Sequence, residues 1–294
     1  MEVKAMCGLF GFCGESSCKS SLLLQVLAIV GQTRGKHSTG IAVLTKNGNS
    51  LLIKKAICGF EFVAGGYMEV LFKNRYCIVI GHNRFATSGR ITDRNAHPFR
   101  VKVANRHYNY GAHNGVINRM HGFDSHFRIT PAEVDSETVF RAIAALQRRG
   151  QSAEEAIRKV TYWISATGKF AFLYLETRQR ILYLWRNEER PLWVFETDFG
   201  HFICSTREIF AKSWGILRGY LGNFNGKAYK IRPYVLYQMS PEGTVAALFR
   251  LKRKASALRI DRHLERKLKQ ATLPHWSEVI EDDRFERGWD YETG

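Results

Sequence analysis

The feature that most constrains the fold is that apolar, strand-like runs come in adjacent pairs joined by tight turns. In GIAVLTKNGNSLLIKKA (40–56) two such runs flank an Asn47-Gly48 step. Asn-Gly tolerates the positive φ that both central positions of a type I′ turn need, so this stretch predicts a hairpin of that type. KFAFLYLETRQRILYLWRN (169–187) repeats the plan with dense aromatic and β-branched content. Strands joined by short turns pair antiparallel, because a parallel pair needs a long crossover. GLFGFC (Gly8–Cys13), YCIVIGHNRFA (76–86) and the start of HFICSTREIFAKSWG (201–215) add further strands.

Helical signals fall between these blocks. The apolar stretch 20–30 reads as a buried helix. Val139, Ile143 and Leu146 have helical spacing and lead to a stop at Gly150. Ser152 is a cap for a second helix, with Glu155 at the capping-box position. Hairpins that recur between helices predict an α+β layered fold with mainly antiparallel sheets, rather than a doubly wound nucleotide-binding fold. GxGxxG and P-loop motifs are absent from the sequence.

Bulk properties narrow the class. A chain of 294 residues makes one large domain or two modest ones. No apolar run approaches the roughly 18 residues of a membrane span, and no secretory signal is evident, so a cytoplasmic protein without membrane contact is expected. The cysteines at 7, 13, 18, 58, 77 and 204 form no CxxC pair. Free thiols are expected, with no metal site and no cofactor.

The formal charge of +17 suits a polyanionic partner. Segment 251–270 carries Lys252, Arg253, Lys254, Arg259, Arg262, Arg266, Lys267 and Lys269 against Asp261 and Glu265. Leu258, Leu264 and Leu268 give it a sparse apolar stripe, with Lys252, Arg253 and most of the other basic residues facing outward. Two readings stay open: a solvated helix face, or a docking helix for nucleic acid or another acidic partner. The stretch after it is acidic and reads as a tail. The expected organisation is a propeptide or upstream start at 1–6, a main domain at 7–250, and a basic helix plus acidic tail at 251–294.

Four polar clusters, the first three containing glycine, interrupt the apolar strands: QTRGKHSTG (32–40), GHNRFATSG with NAHPF (81–89, 95–99), AHNGVI (112–117) and VDSETV (134–139). Together with Cys7-Gly8-Leu9-Phe10-Gly11 they resemble, in order, the motifs of class II glutamine amidotransferases, the N-terminal-nucleophile branch. The likeness is to the glutaminase domains of glucosamine phosphate synthase and amidophosphoribosyltransferase, and covers roughly the first 210 to 250 residues. It implies a four-layer αββα sandwich with two mainly antiparallel sheets. It also implies glutamine hydrolysis through a Cys7 thioester, with ammonia supplied to a separate acceptor synthetase.

By the same resemblance Asn114 and the N–H of Gly115 form the oxyanion hole. Arg84 meets the glutamine α-carboxylate, Asp135 takes the α-ammonium, Phe85 and Thr87 line the pocket, Arg34 orders the loop beside the nucleophile, and His97 sits before Pro98. The base is the α-amine of Cys7, whose ordinary pKa near 8 suits proton transfer at neutral pH. That requires removal of residues 1–6, or translation from Met6. Phe85 replaces a family Trp, His37 a family Asp, and Ser88 stands where relatives often carry His. Two other classes stay open: a non-catalytic binding protein of the same fold with Cys7 capped, and an N-terminal-nucleophile amidase for another amide. A pocket holding both Arg84 and Asp135 speaks against the second, since the pair suits an α-amino acid.

Overall fold

Strands that are apolar on both faces need cover on both, and the structure supplies it in four layers. The computed structural model describes residues 6–118 and 121–254. Of the expected propeptide only Met6 falls within these, and the basic segment and acidic tail lie outside them beyond Lys254. In chain order the first half holds β1 (Gly8–Cys13), α1 (Cys18–Gly31), β2 (Ser38–Thr45), β3 (Ser50–Lys55), α2 (Gly59–Ala64), α3 (Val70–Lys73), β4 (Tyr76–Arg84), β5 (Phe99–Ala104), β6 (His107–Val116) and α4 (Phe123–Phe127). The second half holds α5 (Asp135–Arg148), α6 (Ala153–Ile164), β7 (Lys169–Glu176), β8 (Ile181–Arg186), β9 (Trp193–Thr197), β10 (Gly200–Cys204), α7 (Arg207–Ile216), α8 (Arg218–Leu221), β11 (Ala228–Lys230), β12 (Val235–Met239) and β13 (Val245–Arg250).

One sheet runs β11-β9-β10-β1-β4-β2-β3 and the other β13-β12-β8-β7-β6-β5. Neighbours pair antiparallel, as in Gly8↔Asn83 and Asn114↔Ala171. The two-residue period of a strand then sorts side chains between layers. Leu9, Ala42, Leu44, Ile78 and Ile80 of the first sheet face Ala112, Ala171, Leu173 and Leu184 of the second, forming an aliphatic layer between the sheets. Alternate residues point outward: Phe10, Phe12, Ile41 and Val43 pack with Leu23, Leu24 and Leu27 of α1 and Phe210 of α7. Phe170, Phe172, Tyr174 and Trp185 pack with Phe140 and Ile143 of α5 and Ile157 of α6. Burial on both faces is why these strands read as continuous apolar runs instead of alternating ones.

The first hairpin forms where expected, but its turn differs. Thr45 N donates to Asn49 O at 2.8 Å and Gly48 N to Thr45 O at 3.0 Å, with Gly48 at φ +88. Asn47 keeps a negative φ, so this is a three-residue loop with glycine in the left-handed position, not a two-residue type I′ turn. A second difference lies at 251–254. Leu251 is buried in the core of the second sheet, with no helix assigned through Lys254. Arg253 stays exposed, as expected, while pairing with Glu188 at 3.2 Å and covering the Tyr234 ring, and Lys254 lies over Trp163. The packed body therefore extends past 250.

Candidate active site

Cys7 stands one residue before β1. Because Gly8 pairs with Asn83, the antiparallel register brings Cys7 level with Arg84, the last residue of β4. The Phe85 N–H donates to Cys7 Sγ at 3.3 Å, and Phe85 O lies 3.5 Å from the sulfur to accept from its thiol. Arg34 Nε donates to Cys7 O at 2.9 Å. Met6 N donates to Arg34 O at 3.1 Å.

The stretch after β4 is held by side chains rather than by a ladder. Arg84 is buried and turns back on its own loop, donating to Arg90 O at 3.1 Å and to Ser88 O at 2.5 Å. Lys54 of β3 donates to Ala96 O at 2.7 Å and Arg94 O at 2.8 Å, pinning the segment that carries His97.

The second sheet delivers the facing wall. β6 carries His113-Asn114-Gly115 just before its last residue, Val116. Gly115 has φ +151, and a Cβ there would come within 1.7 Å of Lys169 O on β7, so only glycine fits. Asn114 is 1% exposed, and neither its Nδ2 nor its Oδ1 has a hydrogen-bond partner among the described residues. Such buried, unpaired amide atoms are rare, because leaving them unmade costs about 1–3 kcal/mol. Asp135, the first residue of α5, accepts from Ile117 N at 2.7 Å and Ser136 N at 2.9 Å, tying the end of β6 to the start of the helix.

Three buried histidines join the sheets behind this wall. His82 Nε2 lies 2.9 Å from His113 O, the His82 and His97 rings are 4.2 Å apart, and His113 Nδ1 lies 2.7 Å from Ser136 Oγ. Burial penalises their charged forms, lowering His82 to about 3, His113 to about 4 and His97 well below the ordinary value. All three are neutral at pH 7. Burial also pushes the Cys7 thiol up to about 11, against the Phe85 hydrogen bond and the nearby Arg84 and Arg34 charges, which lower it.

Cys7, Arg84, Phe85, Thr87, His97, Gly115 and Asp135 line one narrow cleft of about 240 Å³ counted out to open solvent. Beside it is a wider cavity, about 1100 Å³ counted the same way, which shares Thr87, Ser88 and Asp135 as lining. Arg34 stands behind the sulfur, and Asn114 is next to Gly115 in the wall. His37, Lys54, Ser88 and Ser136 were not singled out by sequence as site residues. His37, Ser88 and Ser136 sit inside the polar motifs, whereas Lys54 reaches the site from β3 through its side-chain bonds to Arg94 O and Ala96 O, which no local pattern announces. No group of three or more His, Cys, Asp or Glu residues is placed to hold a metal among the described residues.

Two face-to-face antiparallel sheets between helical layers, with a cysteine at the edge of the first strand opposite a strand that carries Asn-Gly near its end, define an N-terminal-nucleophile type of αββα sandwich. The model of the class II glutamine amidotransferases matches residues 6–201, and the chain belongs to that family. It is 29% identical over 207 residues to the glutamine–fructose-6-phosphate aminotransferase (isomerizing) of Fusobacterium nucleatum, covering 68% of this chain and 32% of that protein. The same enzyme of Helicobacter pylori is 29% identical over 209 residues, covering 70% and 33%. The chain thus spans about a third of the length of these curated relatives.

Among solved structures, the glutamine phosphoribosylpyrophosphate amidotransferase of B. subtilis superposes with a TM-score of 0.62 at 19% identity, over 82% of this chain and 49% of that one. A glutamine aminotransferase class-II domain protein from Silicibacter pomeroyi gives 0.50 at 14%, over 82% and 99%. At these identities the structures speak to the fold.

Proposed function

We propose that the chain hydrolyses glutamine to glutamate and ammonia, and that the ammonia passes to an acceptor enzyme. The observation that carries this reading is Asn114, a buried amide with no partner, set beside the Gly115 N–H in the wall facing Cys7. A polar group left unpaired in that position suits an oxygen that becomes negative only during reaction.

On this reading the Cys7 sulfur attacks the side-chain amide carbon. Its proton moves to the α-amine of Cys7 and from there to the departing nitrogen, which leaves as ammonia. Asn114 Nδ2 and the Gly115 N–H hold the oxyanion. The remaining thioester takes up water and releases glutamate. Arg84 retains N–H groups for the α-carboxylate beyond those used on Ser88 and Arg90, and Asp135 meets the α-ammonium. Thr87, Phe85 and His97 shape the pocket, and Arg34 steadies the main chain of Cys7. The amine acts as base only when Cys7 is the first residue, so the reading requires the residues before it to be removed.

The test compares ammonia release from glutamine by protein beginning at Cys7, the same protein with Cys7→Ala, and protein retaining Met6. The first is expected to be active and the other two inert. Equal rates in all three would end the proposal, as would inactivity of the first with glutamine at every concentration tried. Intact mass of protein from its native host then reads whether the chain in use begins at Cys7.

A further inference from the structure

Phe85 touches the Cys7 sulfur through its main chain alone, with N–H to Sγ at 3.3 Å and O to Sγ at 3.5 Å. β4 has ended by then, at Arg84, so no ladder hydrogen bond fixes Phe85 in place. What fixes it is His37. The Ala86 N–H donates to His37 Nδ1 at 2.8 Å, and the imidazole lies against the Phe85 ring with centroids 4.8 Å apart and planes at 30°. His37 N also donates to Arg84 O at 3.0 Å. One residue thus grips three consecutive ones by three different contacts. His37 is itself set firmly, because the next residue, Ser38, begins β2 and pairs with Arg84.

We infer that His37 is a positioning residue for the nucleophile: it holds the Phe85 N–H against the half-buried Cys7 sulfur and so supports the thiolate. A thiolate accepts that hydrogen bond more strongly than a thiol, so a Phe85 free to swing away favours the unreactive thiol. The Nδ1 contact needs a lone pair there, so the ring carries its proton on Nε2. The ring stacking adds orientation, and the Nδ1 acceptor adds register. The kinetic half of this inference rests on the glutamine-hydrolysis reading; the sulfur half does not.

Two substitutions separate the contacts. His37→Phe keeps a ring and removes the acceptor. His37→Asn keeps an acceptor where Nδ1 stood and removes the ring. Alkylation by iodoacetamide across a pH series, on the full chain, is followed by chymotryptic cleavage after Phe10 and mass analysis of the peptide bearing Cys7, which separates it from Cys13 and the exposed Cys18. kcat and KM for glutamine are measured on protein beginning at Cys7, and thermal melts establish that each variant is folded.

His37→Phe is expected to alkylate more slowly at neutral pH, with its profile displaced to higher pH. Its kcat should fall roughly tenfold, the equivalent of one hydrogen bond, with KM within about twofold. His37→Asn should stay within about threefold of the parent on both measures. The inference is overturned if His37→Phe alkylates like the parent, or if His37→Asn falls as far as His37→Phe. Should the parent release no ammonia while the alkylation order holds, the glutaminase reading fails and the His37 inference stands.

Discussion

Around Cys7 the charged side chains of Arg34, Arg84 and Asp135 are fixed by bonds to main chain, whereas the Asn114 amide is left unpaired, and that predicts how single changes divide between binding and rate. Arg84 and Asp135 would meet the non-reacting end of glutamine, so Arg84→Lys and Asp135→Asn are expected to raise KM at least tenfold with kcat little changed. Asn114→Ala should instead lower kcat by roughly a hundredfold, the usual loss for one oxyanion donor. The reverse split, read from steady-state ammonia release, would mean the roles are exchanged. The histidines predict acid sensitivity. His82, His97 and His113 are held neutral in the fold, their pKa values depressed by burial. A depressed pKa contributes stability that is present above the unfolded value and is lost as pH falls toward the folded one. Below about pH 6.5 each should cost roughly 1.4 kcal/mol per pH unit. Urea midpoints at pH 7, 6, 5 and 4.5 read this directly. A flat profile would show that all three rings gain a proton in the fold as readily as in the unfolded chain.

At the scale of elements, Gly115 decides how β6 meets β7. Its φ of +151 and the 1.7 Å approach to Lys169 O leave no room for a methyl group. Gly115→Ala should therefore destabilise the protein by on the order of 2–3 kcal/mol or more, seen as a lowered melting temperature, while Gly122→Ala, with open space around it, should cost less than that. Much of this level was legible from residues. GLFGFC is a strand from Gly8 to Cys13, and the spacing of Val139, Ile143 and Leu146 marks α5. The Ser152 cap also forms, accepting from Glu155 N. What was not legible depends on partners far along the chain. The Asn47-Gly48 turn takes another form although its residues suit type I′. The bond from Ala86 to His37 spans 49 residues and leaves no local pattern. The four-layer arrangement came from the motif resemblance, since hairpins alone leave two stacked sheets and a single curled sheet equally open. His37 and Phe85, the two positions where the motifs depart from the family's Asp and Trp, prove to stack on one another.

At the scale of the molecule, three side-chain layers hold four layers of backbone, and Leu251, just past β13, joins the one between the second sheet and its helices. Leu251 is 3% exposed among Tyr234, Leu236 and the helices covering the second sheet. Leu251→Ala is expected to cost about 2–4 kcal/mol, as for other buried leucines. Lys252→Ala, an exposed neighbour, should change the melt by less than about 0.5 kcal/mol. If the two melt alike, the seating of residues 251–254 is not part of the fold's stability. The family model ends at residue 201, so this last contribution lies where motif likeness gave no guidance and only the packing reveals it.

The layer between the sheets has one more consequence. Cys7, Arg34 and Arg84 ride on or beside one sheet, whereas Asn114, Gly115 and Asp135 ride on or beside the other. Aliphatic side chains between them resist separation but not sliding, since their contacts have no preferred direction. The His82 to His113 O contact crosses this slip plane and acts as a pin. The two half-sites therefore resemble the jaws of a mould, useful only while aligned. Mild urea or pressure should let them creep out of register before any strand is lost, so catalysis should fail at conditions where far-UV circular dichroism still reports an intact protein.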